Sequence, residues 1–176
     1  MEVCDNITHT SELDLYQFHP LQNKWNLYAH LPHDTDWSLK SYKLISTLNS
    51  VEEAITILNS IPDKVIKNCM LFIMKDGINP TWEDKLNKEG GCFSYKIINN
   101  NITDVWNKLC YSLIGETIIT KRHNNINGLT ISPKKNFCII KVWMKDCSNK
   151  NPKTLNYFDG IDSIGCLFKK HISISR

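Results

Sequence analysis

Lys24-Trp25-Asn26-Leu27-Tyr28-Ala29-His30 decides the fold. Trp25, Leu27 and Ala29 recur at period two, the spacing of a strand with one face buried. Downstream, His33-Asp34-Thr35-Asp36 forms a polar loop that delivers Trp37, and Tyr42 to Leu48 fits either a strand or a short helix. Ser50-Val51-Glu52-Glu53 is a capping box, in which Ser50 caps the Glu53 amide and Glu53 reaches back. Val51, Ala54, Ile55 and Leu58 then share a helical face that ends before Pro62. Cys69 to Met74 reads as a buried strand, and Cys92 to Ile98 as another, with Phe93, Tyr95 and Ile97 on one side. A second helix opens at Thr103 or Asp104, carries Val105, Trp106, Leu109, Cys110, Leu113 and Ile114 inward, and has Gly115 near its end. Gly128 to Ser132 and Phe137 to Trp143 flank Pro133-Lys134-Lys135-Asn136, a hairpin with a basic turn. Asn151-Pro152 is a start signal for a third helix, and Ile172 to Ser175 reads as a last short strand. These elements predict an α+β domain over 19–176, preceded by a flexible arm over 1–18. Its sheet is mostly antiparallel, with helices on one face and the other face open.

The composition suits such a domain. Hydrophobic residues make up 41% and charged residues 22% of 176, and no apolar run approaches the ~20 residues of a membrane span. The N-terminus lacks the basic-then-apolar pattern of a signal peptide. The seven cysteines form no C-x-x-C pair and no zinc-ligand spacing, which predicts reduced thiols in a cytoplasmic protein. The net charge of +3 suits an anionic partner without demanding one. No G-x-G nucleotide loop occurs, and Glu52-Glu53 is the only adjacent Glu pair, so nothing points to a methyltransferase or a metal-dependent hydrolase. The expectation is a monomeric binding protein, not an enzyme, with no cofactor.

Lys75-Asp76-Gly77-Ile78-Asn79-Pro80-Thr81-Trp82-Glu83-Asp84 carries the most chemistry. Gly77 and Pro80 make it a loop, and an exposed Trp on a loop is costly without a use. Trp37 sits on another loop. Two loop tryptophans opening on one side of a sheet form a slot for a flat ring, each face contributing ~1–3 kcal/mol by stacking on a base. A positively charged base gains ~0.5–2 kcal/mol more per ring. Glu83 adds selectivity, because a carboxylate accepts from the adjacent N1–H and N2–H of guanine, a donor pair that adenine lacks. The alternative for either Trp alone is packing.

Several blocks in order resemble the 4E family of eukaryotic translation initiation factors, the mRNA cap-binding proteins. His19-Pro20-Leu21-Gln22-Asn23-Lys24-Trp25-Asn26-Leu27-Tyr28 is similar to that family's opening strand. Gly77 to Asp84, followed by Asn87-Lys88-Glu89-Gly90-Gly91, is similar to its central motif, and Ser112-Leu113-Ile114-Gly115-Glu116 to the end of its second long helix. The resemblance covers His19 to Trp143. It implies a cupped sheet of about eight strands backed by three helices. It further implies 7-methylguanosine held between Trp37 and Trp82, Glu83 as guanine reader, Trp143 near the N7-methyl group, and Lys134, with Lys135 beside it, at the cap phosphates. Packing remains the other role for Trp143, and simple solvation the other role for the turn lysines.

The chain departs from the family at its edges. Ile139 stands where a second basic phosphate ligand is expected, and Cys92 stands where the family has an Arg. Lys121, Arg122 and His123 are candidate replacements. After Ile172 to Ser175 little is left for a loop over the cap. On the convex face, where the family binds a helical peptide of the 4G scaffold or of a repressor, His19, Pro20 and Val51 fit. Ile55, Asn107, Lys108 and Tyr111 do not, which implies a dedicated partner. The richness in Asn, Ile and Lys hints at an AT-rich genome, as in some protists and large DNA viruses.

Overall fold

A computed structural model describes residues 18–119, 123–161 and 165–171. The expected arm, apart from Phe18, lies outside them, as do the strand predicted from Ile172, the residues Lys121 and Arg122, and the side chain of His123. The described elements are β1 (Pro20–His30), β2 (Tyr42–Ser50), α1 (Val51–Ser60), α2 (Asp63–Asn68), β3 (Met70–Lys75), β4 (Gly91–Ile98), α3 (Ile102–Ile114), β5 (Ile126–Pro133), β6 (Phe137–Met144) and β7 (Leu167–Lys170). The strands form one curved sheet of seven, in the order β2-β1-β3-β5-β6-β4-β7, antiparallel at every pairing. Seven strands are described where about eight were expected.

Alternation divides the sheet into two faces. Trp25, Leu27, Ala29, Leu71, Ile73, Phe93, Tyr95, Ile97, Leu129, Ile131, Ile140 and Val142 are buried in one core with Ala54, Leu58 and Ile66 of α1 and α2 and the inward stripe of α3. The stripe is the predicted one: Val105, Trp106, Leu109, Cys110, Leu113 and Ile114. The opposite face carries a smaller cluster of Phe72, Met74, Ile78 and Trp143, with Tyr28, Tyr42 and Met70 packed against it. Gly128 lies where β5 crosses this face, and a Cβ there would come within 2.3 Å of the Ile73 carbonyl oxygen.

Local departures have local causes. Tyr42 to Leu48 is strand, because it pairs along β1. Ser50 does accept from the Glu53 amide at 3.2 Å, but the Glu53 carboxylate reaches past Ser50 to the Asn49 amide at 2.8 Å. Gly115 closes α3 with an ordinary φ of −78°, and the left-handed residue is Glu116 at φ 55°. Glu116 is held there by a hydrogen bond from Asn23 Nδ2. The third helix is α2, after Pro62, rather than a helix from Asn151-Pro152. Asn151 caps the Lys153 amide at 3.1 Å, but only a three-residue 3₁₀ turn follows. Leu155 then bridges to Ile119 and the Asn156 amide bonds to Ile118, which draws the chain into extended form. Of the six described cysteines, Cys92, Cys110 and Cys138 are buried and Cys69, Cys147 and Cys166 half-buried.

Candidate nucleobase cleft

The open face of the sheet holds a cleft of about 210 Å³. That is small beside the roughly 300–1,000 Å³ of sites enclosing a drug-sized ligand. It suits a flat ring whose substituents stay outside. Trp37, Trp82 and Glu83 all line it, with Pro80, Thr81, Tyr42, Phe72, Thr130, Lys141 and Trp143. The fold thus brings together the three residues singled out from two separate loops. Trp37 is 54% and Trp82 44% exposed, unusual for the largest apolar side chain.

Each tryptophan is positioned by sequence-local chemistry. Asp36 and Asp34 fold the first loop on itself, with Asp34 Oδ1 accepting from the Asp36 amide at 2.9 Å and Asp36 Oδ1 from the Ser38 amide at 2.8 Å. The Ser38 bonds hold the Asp36 carboxyl below the usual carboxylate range. Trp37 then lies flat on His30, with ring centroids 4.1 Å apart and 7° between planes. His30 Nε2 meets the Asp36 carbonyl at 2.8 Å, fixing the pair to the sheet. One ring face of Trp37 is therefore backed, and the other is left for a ligand.

The loop carrying Trp82 starts with a turn at Gly77, whose φ of 80° favours glycine. Asp84 ties it across, accepting from the Asn79 amide at 3.1 Å and the Leu86 amide at 2.8 Å. Asn87, fully buried, is the hub. Its amide donates to the carbonyls of Asn79 at 2.9 Å and Thr81 at 2.8 Å, and its oxygen accepts from Asn127 at 2.9 Å. Asn127 sits at the bulge of β5, so the loop is pinned to the sheet beneath it. Glu83 projects at the exposed rim, and its charge, after burial, raises the Tyr42 phenol pKa.

Trp143 forms the floor. It is buried, donates from Nε1 to Thr130 Oγ1 at 2.7 Å, and packs against His171 at 4.6 Å. Lys134 and Lys135 do not line the cleft. They occupy the turn, where the Lys134 amide bonds the Phe137 carbonyl at 2.8 Å. Lys141, His30, Asn87, Asn127 and His171 were not singled out from sequence. Alternation places Lys141 on the open face, since it sits between buried Ile140 and Val142 of the opposite face.

On the helical side, His19 and Val51 are joined by an amide–carbonyl bond of 2.9 Å. His19 also bonds the Glu52 carboxylate through its amide at 3.0 Å and its Nδ1 at 2.6 Å. These bonds hold Glu52 down at about 2. Val51, Ile55 and Tyr111 are exposed, and Tyr111 donates to Asn59 at 2.6 Å, joining α3 to α1. Pro20 opens β1 beside them, pairing with Ser50. Lys108 turns back to Asp104 at 2.7 Å, and the buried Asn107 side-chain oxygen has no partner among the described residues.

Comparison with known proteins agrees with this architecture. The sequence profile of the family described as Eukaryotic initiation factor 4E matches residues 20–173. Eukaryotic translation initiation factor 4E of Candida albicans is 32% identical over 147 residues, 78% of this chain and 69% of that protein. The human factor of that name is 25% identical over 165 residues, covering 90% and 72%. Among solved structures, a complex of C. elegans eIF4E-3 with the 4E-binding protein Mextli and cap analog superposes at TM-score 0.68, with 24% identity over 75% of this chain and 77% of that one. Ascaris suum eIF4E-3 with m7G cap gives TM-score 0.68 at 22% identity, covering 76% and 77%. With a profile spanning nearly all of the sheet and its helices, the chain belongs to the eukaryotic initiation factor 4E family.

Proposed function

We propose that the chain binds the 7-methylguanosine 5′ cap of mRNA and serves translation initiation as a cap-binding subunit, without catalysis. The observation that carries this reading is the convergence of exposed Trp37, exposed Trp82 and Glu83 on one ring-sized cleft. In this reading the methylated base enters between the two indoles. Its positive charge strengthens both stacks. Glu83 accepts N1–H and N2–H in a bidentate, charge-assisted pair. Trp143, already part of the floor, faces the N7-methyl group, and Lys134 and Lys135 lie further along the sheet for the phosphates. The test is tryptophan fluorescence: 7-methylGTP quenches it strongly and GTP much less. Equal quenching by both, or undiminished binding by Glu83→Gln, contradicts the reading.

A second role is favoured by the convex surface. Exposed Val51 and Ile55 lie with Pro20 and the His19–Glu52 pair beside Asn107, Tyr111 and the Lys108–Asp104 ion pair, where a lysine stands in place of an acidic residue. Such a surface selects a helical peptide, from a scaffold or a repressor, other than the standard one. Co-purification of a scaffold from the native cell supports initiation. Its absence, with cap binding intact, supports repression by sequestration.

A further inference from the structure

Positive charge on the open face occupies different squares of the sheet from those expected of the family. Pairing places Tyr28, Phe72, Thr130, Lys141 and Ser94 in one row across five strands. The next row toward the hairpin turn holds Ser132, Ile139 and Lys96. Ile139, the apolar replacement for a basic residue, thus has a lysine directly opposite it and another two residues along its own strand. Two residues of strand span about 7 Å, so Lys141, Lys96 and the turn lysines Lys134 and Lys135 form successive steps leading away from the cleft.

Both strand lysines rest on aromatic faces. Lys141 Nζ lies 5.6 Å from the Trp82 ring centroid and lines the cleft itself. Lys96 Nζ lies 4.5 Å from the Phe137 ring. Neither belongs to an ion pair among the described residues. A lysine on an exposed ring is weakly anchored, whereas an ammonium on a phosphate oxygen is charge-assisted and stronger. The four-carbon stem lets the charge move without its backbone.

We propose that Lys141 is a phosphate ligand of the cap. It occupies the Trp82 face when the cleft is empty, leaves when the cationic base enters, and takes the phosphate nearest the base, with Lys96 the next ligand along. This assignment rests on the cap reading. It gives the base and the phosphates a shared switch: the like charges of base and ammonium cannot share one indole face, so stacking drives Lys141 toward the phosphates.

The test uses the full chain, as wild type, Lys141→Met, Lys141→Arg and Lys96→Met, titrated by fluorescence with 7-methylguanosine, 7-methylGMP and 7-methylGTP. Lys141→Met binds the nucleoside as well as wild type or better, because the slot is vacant. It binds the mono- and triphosphate about tenfold more weakly, the effect of one charge-assisted bond. Lys141→Arg restores the phosphate forms, and Lys96→Met weakens the triphosphate alone. Added salt narrows the difference. An equal loss for nucleoside and nucleotides in Lys141→Met, or no loss for the nucleotides, overturns the assignment while the cap reading stands. Wild type that binds none of the three overturns both.

Discussion

Trp37 and Trp82 differ in what lies behind them, and their replacement has different consequences. Trp37 covers His30, which is buried between the indole and Tyr42. Among the described residues the Trp82 ring carries the Lys141 ammonium. Both Trp37→Ala and Trp82→Ala are expected to lose ~1–3 kcal/mol of affinity for 7-methylGTP, measured calorimetrically. Trp37→Ala should also lower the melting temperature, because it uncovers a polar ring and its bond to Asp36, while Trp82→Ala should leave it nearly unchanged. Trp82 and Glu83 were legible in the sequence because Gly77 and Pro80 forbid a strand there. Lys141 was not, because its meaning depends on which face of β6 the two loops close over.

The loop between β3 and β4 is tied across by Asp84 and pinned to the sheet through Asn87. Asn87 satisfies two loop carbonyls and Asn127 at once. Asn87→Ala leaves those buried groups unpaired, at about 1–3 kcal/mol for the group most fully desolvated. Urea denaturation should show that loss, and 7-methylGTP binding should weaken although no ligand-facing residue has changed. Unaltered affinity in a destabilised variant would mean the loop keeps its shape without the hub. At this scale the sequence was most readable where a pattern is periodic or capped: β1, α1, α3 and the β5–β6 hairpin. It was least readable at α2, whose six residues are too few for a period, and at Asn151-Pro152, where a sound start signal is overridden by pairing of Leu155 with Ile119.

Two histidine contacts contribute to the acid response of the whole molecule. His171 donates from Nδ1 to the Asn87 carbonyl at 2.8 Å, and its buried Nε2 has no partner among the described residues. Burial, with Lys141 adding to it, pushes its pKa below 6.5 despite that bond. A depressed pKa means that the unfolded chain binds the extra proton first. The contribution is full above 6.5 and is lost as pH falls through the window beneath it. His171→Gln can still donate to Asn87 but cannot charge, so its melting temperature should fall less than wild type's between about pH 7 and pH 5. Glu52, held at about 2 by the His19 bonds, acts further down. Its stabilising contribution is present above 4.5 and lost as pH falls toward 2.

The order of strands has a kinetic consequence. β1, β2 and β3 are close in sequence and pair among themselves, and β4 to β7 build the other half, so within the sheet the halves meet where β3 pairs with β5. That pairing joins Leu71 to Ile131, across sixty residues of chain, and contacts so remote form late because loop closure must precede them. The cleft straddles this seam, with Trp37, Tyr42 and Phe72 on one side and Thr130, Lys141 and Trp143 on the other. A nucleotide bound there is expected to grip a junction that forms late in folding. Saturating 7-methylGTP should therefore slow unfolding in a stopped-flow denaturant jump and leave the refolding rate in place.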